Sequence, residues 1–469
     1  MIGKPYAFWK AKPTPFERQN PGLLKDNTSF SREKKMQKRL LVSCILTILK
    51  LVGLSLVFSS SVSAATPHYP FPQHVKYPDS IQPNQFTQAE QDEHVQTFYD
   101  YWKQNYLVSA GNDNNGKQMY RVAFAQDSDT TVSEGQGYGM IIVSLMAGYE
   151  TEAQNLFDGL WRFVRQYPST IDSRLMAWKV QNGSAVEGVN SAFDGDADIA
   201  YGLLLAAAQW GNQGEINYQT EAGTIIAGIL ASTIGPESRL PMLGDWTQPN
   251  GDTYNQYTPR SSDFMLANFQ AFAQATGDNS TWQTVINNSH TVIGEIQQQY
   301  SPGTGLLPDF IQCQSVTQCA PAQAHFLEGA NDGNYYYNAG RVPWRLGLHA
   351  LLHNDATSRS QVQKITDWLV TATGGDASAI KSGYQLNGTY IGNYFSTFFA
   401  APFGVGAMLS NQQDFLNAIY AQVYQRQENY YEDSVNLLSL LVMTGNAWAP
   451  VVAQESRNGF LPALLMLLL

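Results

Sequence analysis

Several carboxylic acids in this sequence lie at the start of helical segments instead of on solvated helix faces. They are Glu134 in SEGQGYGM, Asp194, Asp196 and Asp198 in AFDGDADIA, Asp245 beside Trp246 in LGDW, and Glu328 and Asp332 in FLEGANDGNYYYNAGRVPWRL. Any one of them has a structural explanation, because the helix dipole and the free N–H groups of a first turn favour acids there. Each is also followed by aromatic residues, which the helix dipole does not explain.

Paired acids near aromatic side chains are what hydrolysis of a polysaccharide requires. A carboxylic acid protonates the acetal oxygen while a carboxylate activates water or attacks the sugar, and sugar rings stack on aromatic faces. Trp178, Trp246 and Tyr257 are candidate sugar platforms, although burial in the core would explain each of them equally well. The sequence contains no glycine-rich phosphate loop, GxSxG nucleophile turn or zinc-binding helix motif that would favour other chemistry.

The cysteines predict a disulfide and no metal site. Cys313 and Cys319 lie six residues apart in CQSVTQCA, and the third cysteine is Cys44. In an exported protein this spacing indicates a local disulfide, whereas zinc needs more ligands than are clustered there. We expect neither a metal nor a cofactor.

Residues 1–65 are predicted to be a leader that contains a signal peptide. Met36, the expected start of translation, is followed by two basic residues, a long apolar run and the small residues Val62-Ser63-Ala64 of a cleavage site. An uncleaved membrane anchor is the alternative, since the run is near spanning length although Lys50 interrupts it. The pattern therefore predicts a secreted, extracellular protein.

The charge of the chain without its leader is strongly negative. Residues 1–65 hold 11 Lys and Arg and 3 Asp and Glu, which leaves 17 basic and 36 acidic residues, a net charge of −19. Such a surface repels nucleic acid and would attract a cationic substrate, or it serves solubility alone. We expect a polysaccharide partner, no nucleic acid, no stable membrane association after cleavage, and a monomer.

Apolar periodicity predicts the elements that must position these acids. Thr87 and Glu90 form a capping-box pattern before the first helical segment. Twelve segments are expected, at about 88–106, 134–150, 152–166, 196–210, 217–233, 262–276, 282–300, 338–353, 359–372, 395–409, 412–425 and 430–444. Short links alternate with long loops, a pattern typical of a ring of six helical hairpins in one domain, residues 66–450. The apolar tail, residues 451–469, is too short to span a bilayer and has no assigned role.

Three segments in order resemble the signatures of glycoside hydrolase family 8: SEGQGYGM, DGDADIAYGLLLAAAQWG and YNAGRVPWRLGLHALL. The resemblance covers residues from about 95 to 445. That family contains bacterial endoglucanases, lichenases, xylanases and chitosanases. It implies an all-α (α/α)6 barrel, in agreement with the twelve predicted segments, and an inverting mechanism.

The resemblance also implies residue roles. Glu134 matches the general acid; we expect flanking glycines to let the glycan approach, and burial without a cationic partner to raise the pKa of Glu134. Asp194 matches the aspartate that holds and distorts the sugar at the cleaved bond. Because Phe193 replaces the small hydroxyl residue usual before that aspartate, Asp196 is kept as a substitute that binds substrate. Arg341 resembles a substrate-side arginine.

The third segment departs from the commonest pattern of the family. Many members have an aspartate base where this chain has Asn338, and an amide cannot take a proton from water. The chain resembles the branch with chitosanases and lichenases, which has Asn there and a glutamate base in the preceding loop. Glu328 matches that base, and PRSSDFML, residues 259–266, also resembles that branch. Asn338 is then expected to bind substrate, through a hydrogen bond to the attacking water or to the sugar.

The sequence therefore predicts a secreted, inverting endo-glycosidase that hydrolyses β-1,4 bonds in a glucan-type polysaccharide, either chitosan or a cellulose- or lichenan-type β-glucan. A non-catalytic glycan-binding relative is one alternative, since Asn338 would allow it if Glu328 were not the base. An (α/α)6 polysaccharide lyase is the other, although a net charge of −19 disfavours a polyanionic substrate.

Overall fold

The structure, a computed structural model, describes residues 65–126 and 128–450. The apolar run of the predicted leader and the C-terminal tail lie outside the described residues. Within them the chain forms twelve α-helices: α1 (Gln88–Tyr106), α2 (Ser133–Leu145), α3 (Ala153–Gln166), α4 (Phe193–Trp210), α5 (Tyr218–Ser232), α6 (Leu266–Thr276), α7 (Asn279–Gln299), α8 (Val342–His353), α9 (Ala356–Thr373), α10 (Thr397–Ala407), α11 (Gln413–Val423) and α12 (Tyr430–Met443).

The even-numbered helices form a closed inner ring. Each packs against the next, from α2 to α4 and onward to α12, and α12 packs back against α2. Every odd-numbered helix packs on the outside of one inner helix, and α1 covers α12, so that the two ends of the described chain complete the sixth pair. The predicted (α/α)6 barrel is confirmed.

The sequence of each helix explains its layer. The outer helix α3 buries Leu156, Phe157, Leu160, Phe163 and Val164, which recur at the spacing of one helix face. The inner helix α4 is apolar nearly all round, and almost all of its residues are buried. An outer helix can therefore face water on one side, whereas an inner helix must be enclosed by its neighbours.

All the long loops lie on one rim of the barrel. The segments 107–132, 167–192, 233–265, 300–341 and 374–396 each lead from an outer helix to the start of an inner helix. Short turns join inner helices to outer ones, which makes these pairs antiparallel and the inner helices parallel to one another. The N-termini of the inner helices, and the acids in their first turns, are thereby gathered on the long-loop rim.

Short strands order these loops. β1 (Leu107–Asn112) pairs with β2 (Gln118–Val122), β3 (Thr130–Val132) with β4 (Lys179–Gln181), β4 with β5 (Ser184–Ala185), and β6 (Ile311–Ser315) with β7 (Gln318–Pro321), all antiparallel. The predicted disulfide between Cys313 and Cys319 links β6 to β7.

The start of α1 and the length of the apolar helices can be compared with the expectations from sequence. Thr87 and Glu90 form the predicted capping box at the start of α1, each side chain bonded to the backbone of the other. In the part of the chain that the structure describes, no helix is both long and apolar enough to cross a membrane.

Candidate active site

Glu134 lies in the first turn of the inner helix α2, with 16% of its side chain exposed. Its Oε1 accepts a hydrogen bond from Tyr138 Oη at 2.8 Å and another from Arg341 Nη1. Because Tyr138 is one helical turn further along, α2 supplies both the carboxyl group and one of the donors that orient it. The second oxygen, Oε2, has no hydrogen-bond partner among the described residues and can act on a bound molecule.

The glycines beside Glu134 serve helix packing. A Cβ at position 135 would collide with the hydroxyl group of Tyr430 on α12, and one at position 137 would lie 2.7 Å from Asp198 Cβ on α4. The expectation that these glycines make room for a glycan is therefore wrong. They allow two inner helices to approach α2 closely.

Asp194 lies at the start of α4, and 4% of its side chain is exposed. Its Oδ2 accepts hydrogen bonds from Arg260 Nη1 at 2.9 Å and from Arg341 Nη1 at 2.8 Å. Burial alone would raise the pKa of Asp194, but the two guanidinium groups outweigh it and hold the pKa below its ordinary value. Asp194 is thus a permanent negative charge next to Glu134.

Arg341 connects the acids of the site. Its guanidinium group donates to Glu134, to Asp194, to Ser262 Oγ at 2.8 Å and to Asn338 Oδ1 at 3.0 Å. The side chain is only 1% exposed, so it has no surface for a sugar. The prediction that Arg341 binds substrate is wrong, because protein acceptors use its donors. It positions the carboxylates instead.

Glu328 lies on the loop before α8, and 51% of its side chain is exposed. Its Oε2 accepts a hydrogen bond from Asn338 Nδ2 at 2.9 Å, and Arg260 Nη2 lies 4.0 Å from its Oε1. The orientation of the Asn338 amide follows from its partners: Arg341 can only donate to it and a carboxylate can only accept from it. Glu328 and Glu134 are therefore joined through two side chains, Asn338 and Arg341.

Asp332, the other acid of this loop, is bonded to the backbone of the loop itself. Its carboxylate accepts hydrogen bonds from the backbone N–H groups of Leu327, Glu328 and Gly329 at 2.7 to 2.9 Å. Three backbone donors hold it in the loop, and 3% of the residue is exposed. Asp332 shapes the loop that carries Glu328.

Burial controls the protonation of Glu134. It raises the pKa of this carboxyl group, the charge of Arg341 opposes the shift, and the negative charge of Asp194 adds to it. The expectation that Glu134 lacks a cationic partner is wrong, but the upward direction of the shift holds. A carboxyl group that keeps its proton to higher pH suits a proton donor.

The remaining predicted acids form hydrogen bonds inside the protein. Asp196 is 0% exposed and accepts a hydrogen bond from the backbone N–H of Met176, so the prediction that it contacts substrate is wrong. Asp198 forms two hydrogen bonds with Arg345 inside the barrel, at 3.0 and 2.6 Å. Asp245 accepts from Ser169 and Ser191 and orders two loops.

Three predicted aromatic platforms lie on the loops of this rim and are partly exposed. Trp178 directly precedes β4, and its carbonyl group accepts from Ser133 N, the residue before Glu134. Trp246 packs against a small apolar cluster formed by Leu243, Phe310, Ala322 and Phe326. Tyr257 pairs through its carbonyl group with Cys313 N in β6.

Arg260 and Asp309 were missed from the sequence. Arg260, in PRSSDFML, binds Asp194, and Asp309 accepts from the backbone N–H groups of Tyr336, Asn338 and Ala339 at 2.7 to 3.1 Å. Burial raises the pKa of Asp309 to about 7. Arg260 lies in a segment that resembles the family branch, but the partners of Arg260 and Asp309 could not be predicted, because each residue comes from a long loop and meets them only in the fold.

A model of the family described as Glycosyl hydrolases family 8 matches residues 78–445. The chain belongs to this family. The match spans all twelve helices and every residue described above as part of the site. This family 8 enzyme is therefore a glycoside hydrolase, with its acids on the rim where the inner helices begin.

Relatives of this family 8 enzyme have names that agree with this assignment. It is 44% identical over 398 residues to a β-glucanase from Niallia circulans, covering 84% of this chain and 94% of the relative. It is 38% identical over 402 residues to an endoglucanase from Bacillus sp. strain KSM-330, covering 84% and 85%. The apo structure of a β-1,3-1,4-glucanase from Paenibacillus sp. X4 superposes on this chain with a TM-score of 0.77 and 43% sequence identity. The match covers 82% of this chain and 100% of the Paenibacillus chain.

Proposed function

We propose that this protein is an endo-acting glucanase that hydrolyses β-1,4 bonds with inversion, using Glu134 as the acid and Glu328 as the base. The observation that carries the proposal is the hydrogen-bonded series from Glu328 through Asn338 and Arg341 to Glu134. The series places two side chains between the carboxyl groups, and inversion needs a separation of about 6.5–9.5 Å because water must fit between them.

On the acid side, Glu134 Oε2 donates its proton to the glycosidic oxygen as the bond breaks. Tyr138 and Arg341 occupy Oε1, which leaves Oε2 to carry the proton. Burial raises the pKa of the group, so that the protonated form persists to higher pH. Once the proton has left, Arg341 stabilises the carboxylate that remains.

On the base side, Glu328 accepts a proton from the attacking water. Its carboxylate is half exposed, so water reaches it, and the Asn338 amide holds one of its oxygens. Asn338 itself cannot accept the proton. The oxygen that faces Arg260 at 4.0 Å is the better placed to take the proton, because Asn338 binds the other one.

Asp194 would act on the sugar at the cleaved bond mainly through its charge, which stabilises the positive charge that develops on the ring, because only 4% of its side chain is exposed. Its low pKa keeps it ionised throughout the pH range in which Glu134 must be protonated. Glu134 and Asp194 thus have different protonation states although they share Arg341, because Asp194 has Arg260 as a second cation.

For the substrate we propose a mixed-linkage β-glucan. This choice rests on the relatives, since the Niallia circulans protein is named a β-glucanase and the Paenibacillus structure a β-1,3-1,4-glucanase. Trp178, Trp246 and Tyr257 would stack on glucose rings along the rim.

Reducing-sugar assays on lichenan, chitosan, carboxymethyl cellulose and xylan test the substrate class, with Glu134→Gln as the blank. We expect release from lichenan and an α-anomer as the first product in proton NMR of fresh digests. A β-anomer as the first product would refute inversion.

Chitosan is the second candidate, favoured by the net charge of −19 in residues 66–469. A polycation would be attracted through a field that salt screens, so chitosan hydrolysis should fall as ionic strength rises. Hydrolysis of lichenan with no action on chitosan would make the charge a solubility feature only.

The two alternatives from other classes also have clear outcomes. A non-catalytic glycan-binding protein would bind lichenan without releasing reducing ends. A lyase would produce an unsaturated sugar that absorbs in the ultraviolet, which hydrolysis does not.

Export also belongs to the proposal. The basic residues, apolar run and small residues at 36–64 support a cleaved leader, one catalytic domain over residues 66–450 and a secreted protein. N-terminal sequencing of protein from culture medium should give a start near Ala65, and light scattering should give the mass of a monomer.

A further inference from the structure

On the rim opposite the active site, two histidines and an aspartate from three helices converge. His290 belongs to the outer helix α7, His349 to the inner helix α8, and Asp355 is the N-cap of the outer helix α9. One ligand atom from each lies within 4.8 Å of the other two. Of the residues that the structure describes, these three form the one group with that geometry.

The spacing suits a small divalent cation. His290 Nε2 lies 3.5 Å and His349 Nδ1 3.8 Å from Asp355 Oδ1. Zinc bonds to nitrogen and oxygen of about 2.0–2.2 Å place the ligand atoms of a tetrahedral site about 3.3–3.6 Å apart. The two His–Asp distances are close to these values, and the two histidine nitrogens, which lie within 4.8 Å of each other, would move together as Zn²⁺ binds.

His290 presents a lone pair to the centre of the cluster. Its Nδ1 lies 2.8 Å from Gln361 Oε1, which can only accept, so the ring proton is on Nδ1 and Nε2 is unprotonated in the neutral ring. Nε2 is buried and has no hydrogen-bond partner in the described residues, and only 10% of the side chain is exposed. Toward the cluster this nitrogen faces the Asp355 carboxylate at 3.5 Å, which is longer than an ordinary hydrogen bond, so a cation between them would give both groups a closer partner.

The surroundings hold the ligands in place as second shells of metal sites do. Gln361 bonds both to the ring of His290 and, through Nε2, to its carbonyl oxygen at 2.9 Å. The backbone N–H of Ser358 donates to Asp355 Oδ1 at 2.7 Å, and Ser358 Oγ lies 2.8 Å from His349 Nδ1. The Ser358 hydroxyl can donate to that nitrogen and turn away when a metal binds.

We propose that His290, His349 and Asp355 bind one Zn²⁺ ion that fastens α7 to the turn between α8 and α9. Two imidazoles and one carboxylate favour zinc over calcium or magnesium, which prefer oxygen ligands. Water completes the coordination, or His353, whose ring centroid lies 5.4 Å from that of His349 one helical turn earlier. Asp355, with 31% of its side chain exposed, provides the route from solvent.

The role of this site is structural. His349 lies eight residues after Arg341, about 12 Å along the helix axis, so the ion does not touch the proposed reaction. A bound ion joins three helices and stabilises only the folded chain, so unfolding must also release the metal.

The test is a Zn²⁺ titration of purified, chelator-treated protein by calorimetry, combined with thermal unfolding. We expect one Zn²⁺ per chain, a higher unfolding temperature with Zn²⁺, and unchanged glucanase activity at 25 °C. His290→Gln should weaken binding at least 100-fold, because loss of a ligand exceeds the 10- to 100-fold cost of losing a second-shell partner.

Two matched variants keep the test decisive. Asp355→Asn retains the cap to Ser358, since Asn caps helices as well as Asp does, but removes the charged ligand and should weaken binding similarly. His94→Gln changes another partly buried histidine, bonded to Tyr420, and should leave Zn²⁺ binding unchanged. Absence of Zn²⁺ binding in the starting protein, or binding in His290→Gln and Asp355→Asn as tight as in the starting protein, would overturn the proposal and leave an ordinary His–Asp pair.

Discussion

Glu134 begins a helix that is enclosed on nearly every side, whereas Glu328 lies on a loop with half of its side chain in solvent. Two direct donors, Tyr138 and Arg341, hold Glu134, and one amide, from Asn338, holds Glu328. Burial favours the neutral form of the first group, and exposure leaves the second in contact with water. The two environments thus match the different tasks of an acid and a base.

The largest expected effect comes from removing either carboxyl group. Glu134→Gln and Glu328→Gln should each lower kcat on lichenan by roughly 10²–10⁴ or more while circular dichroism stays unchanged. An aryl glucoside whose leaving group needs no proton separates the two roles. Glu134→Gln should recover most of its activity on that substrate, and Glu328→Gln should not. Activity of either variant within a few-fold of the parent on lichenan would reject that residue's role.

A glycine directly follows each glutamate, and the same substitution should destabilise the protein at one of these glycines only. Gly135→Ala forces a methyl group against the Tyr430 hydroxyl and should lower the free energy of unfolding by about 1–3 kcal/mol. Gly329→Ala, whose added Cβ meets nothing within 4 Å, should leave it unchanged. Denaturant unfolding measures both. Equal losses in the two variants would show that packing around Glu134 is no tighter than around Glu328.

The hydrogen bond from Asn338 is the one that holds the carboxylate of Glu328 among the described residues. Asn338→Ala removes one hydrogen bond to Glu328 and one to Arg341, and should lower kcat/KM roughly tenfold, corresponding to about 1.4 kcal/mol. Asn338→Asp places a carboxylate beside Glu328 in the position of the 2.9 Å bond. Like charges favour protonation, so the acidic limb of the rate profile should move to higher pH. A loss on Asn338→Ala as large as that of Glu328→Gln would make Asn338 more than a positioning residue.

The smallest effect concerns the acid's second donor. The Tyr138 hydroxyl stabilises ionised Glu134, so Tyr138→Phe should raise the pKa of Glu134 further. The basic limb of the rate profile should then move to higher pH, by up to about one unit. Tyr430→Phe is the control, because it removes a buried hydroxyl that has no hydrogen-bond partner among the described residues. A downward shift in Tyr138→Phe would contradict the assigned direction of this bond.

Much of the fold could be predicted because its signals are local. All twelve predicted segments correspond to helices whose ends differ from the prediction by five residues or fewer. The capping box and the disulfide involve residues three and six positions apart, and both are confirmed. Helix periodicity, caps and a short covalent link all depend on neighbours in the chain.

The acids of AFDGDADIA show where local signals stop. Residues two apart on a helix point about 200° away from each other, so Asp194 faces Arg341 while Asp196 faces the backbone N–H of Met176. Asp198 returns to the face of Asp194 one turn deeper and binds Arg345, as Asp194 binds Arg341. Asp194 and Asp198 are four residues apart, as are Arg341 and Arg345. This matching spacing could have predicted two ion pairs, one turn apart, between α4 and the N-terminal part of α8.

The proposed zinc ligands are also too far apart in the sequence for a local pattern to predict them. His349 and His353 have the i, i+4 spacing of metal-binding helices, but His290 is almost sixty residues away and Asp355 resembles an ordinary cap. The sequence therefore predicted no metal site. Calorimetry on Zn²⁺ now decides between that prediction and the proposal.

The sequence by itself determined the helices, the family and the segments that carry the acids, because apolar spacing and the motif residues are contiguous in the chain. Only the tertiary structure decided which acids meet, which cation they share and how deeply each is buried. Arg260, Asp309 and Arg341 acquire their partners across 27 to 207 residues. The protonation of Glu134 depends on those contacts and on exclusion of water, neither of which exists before the barrel closes.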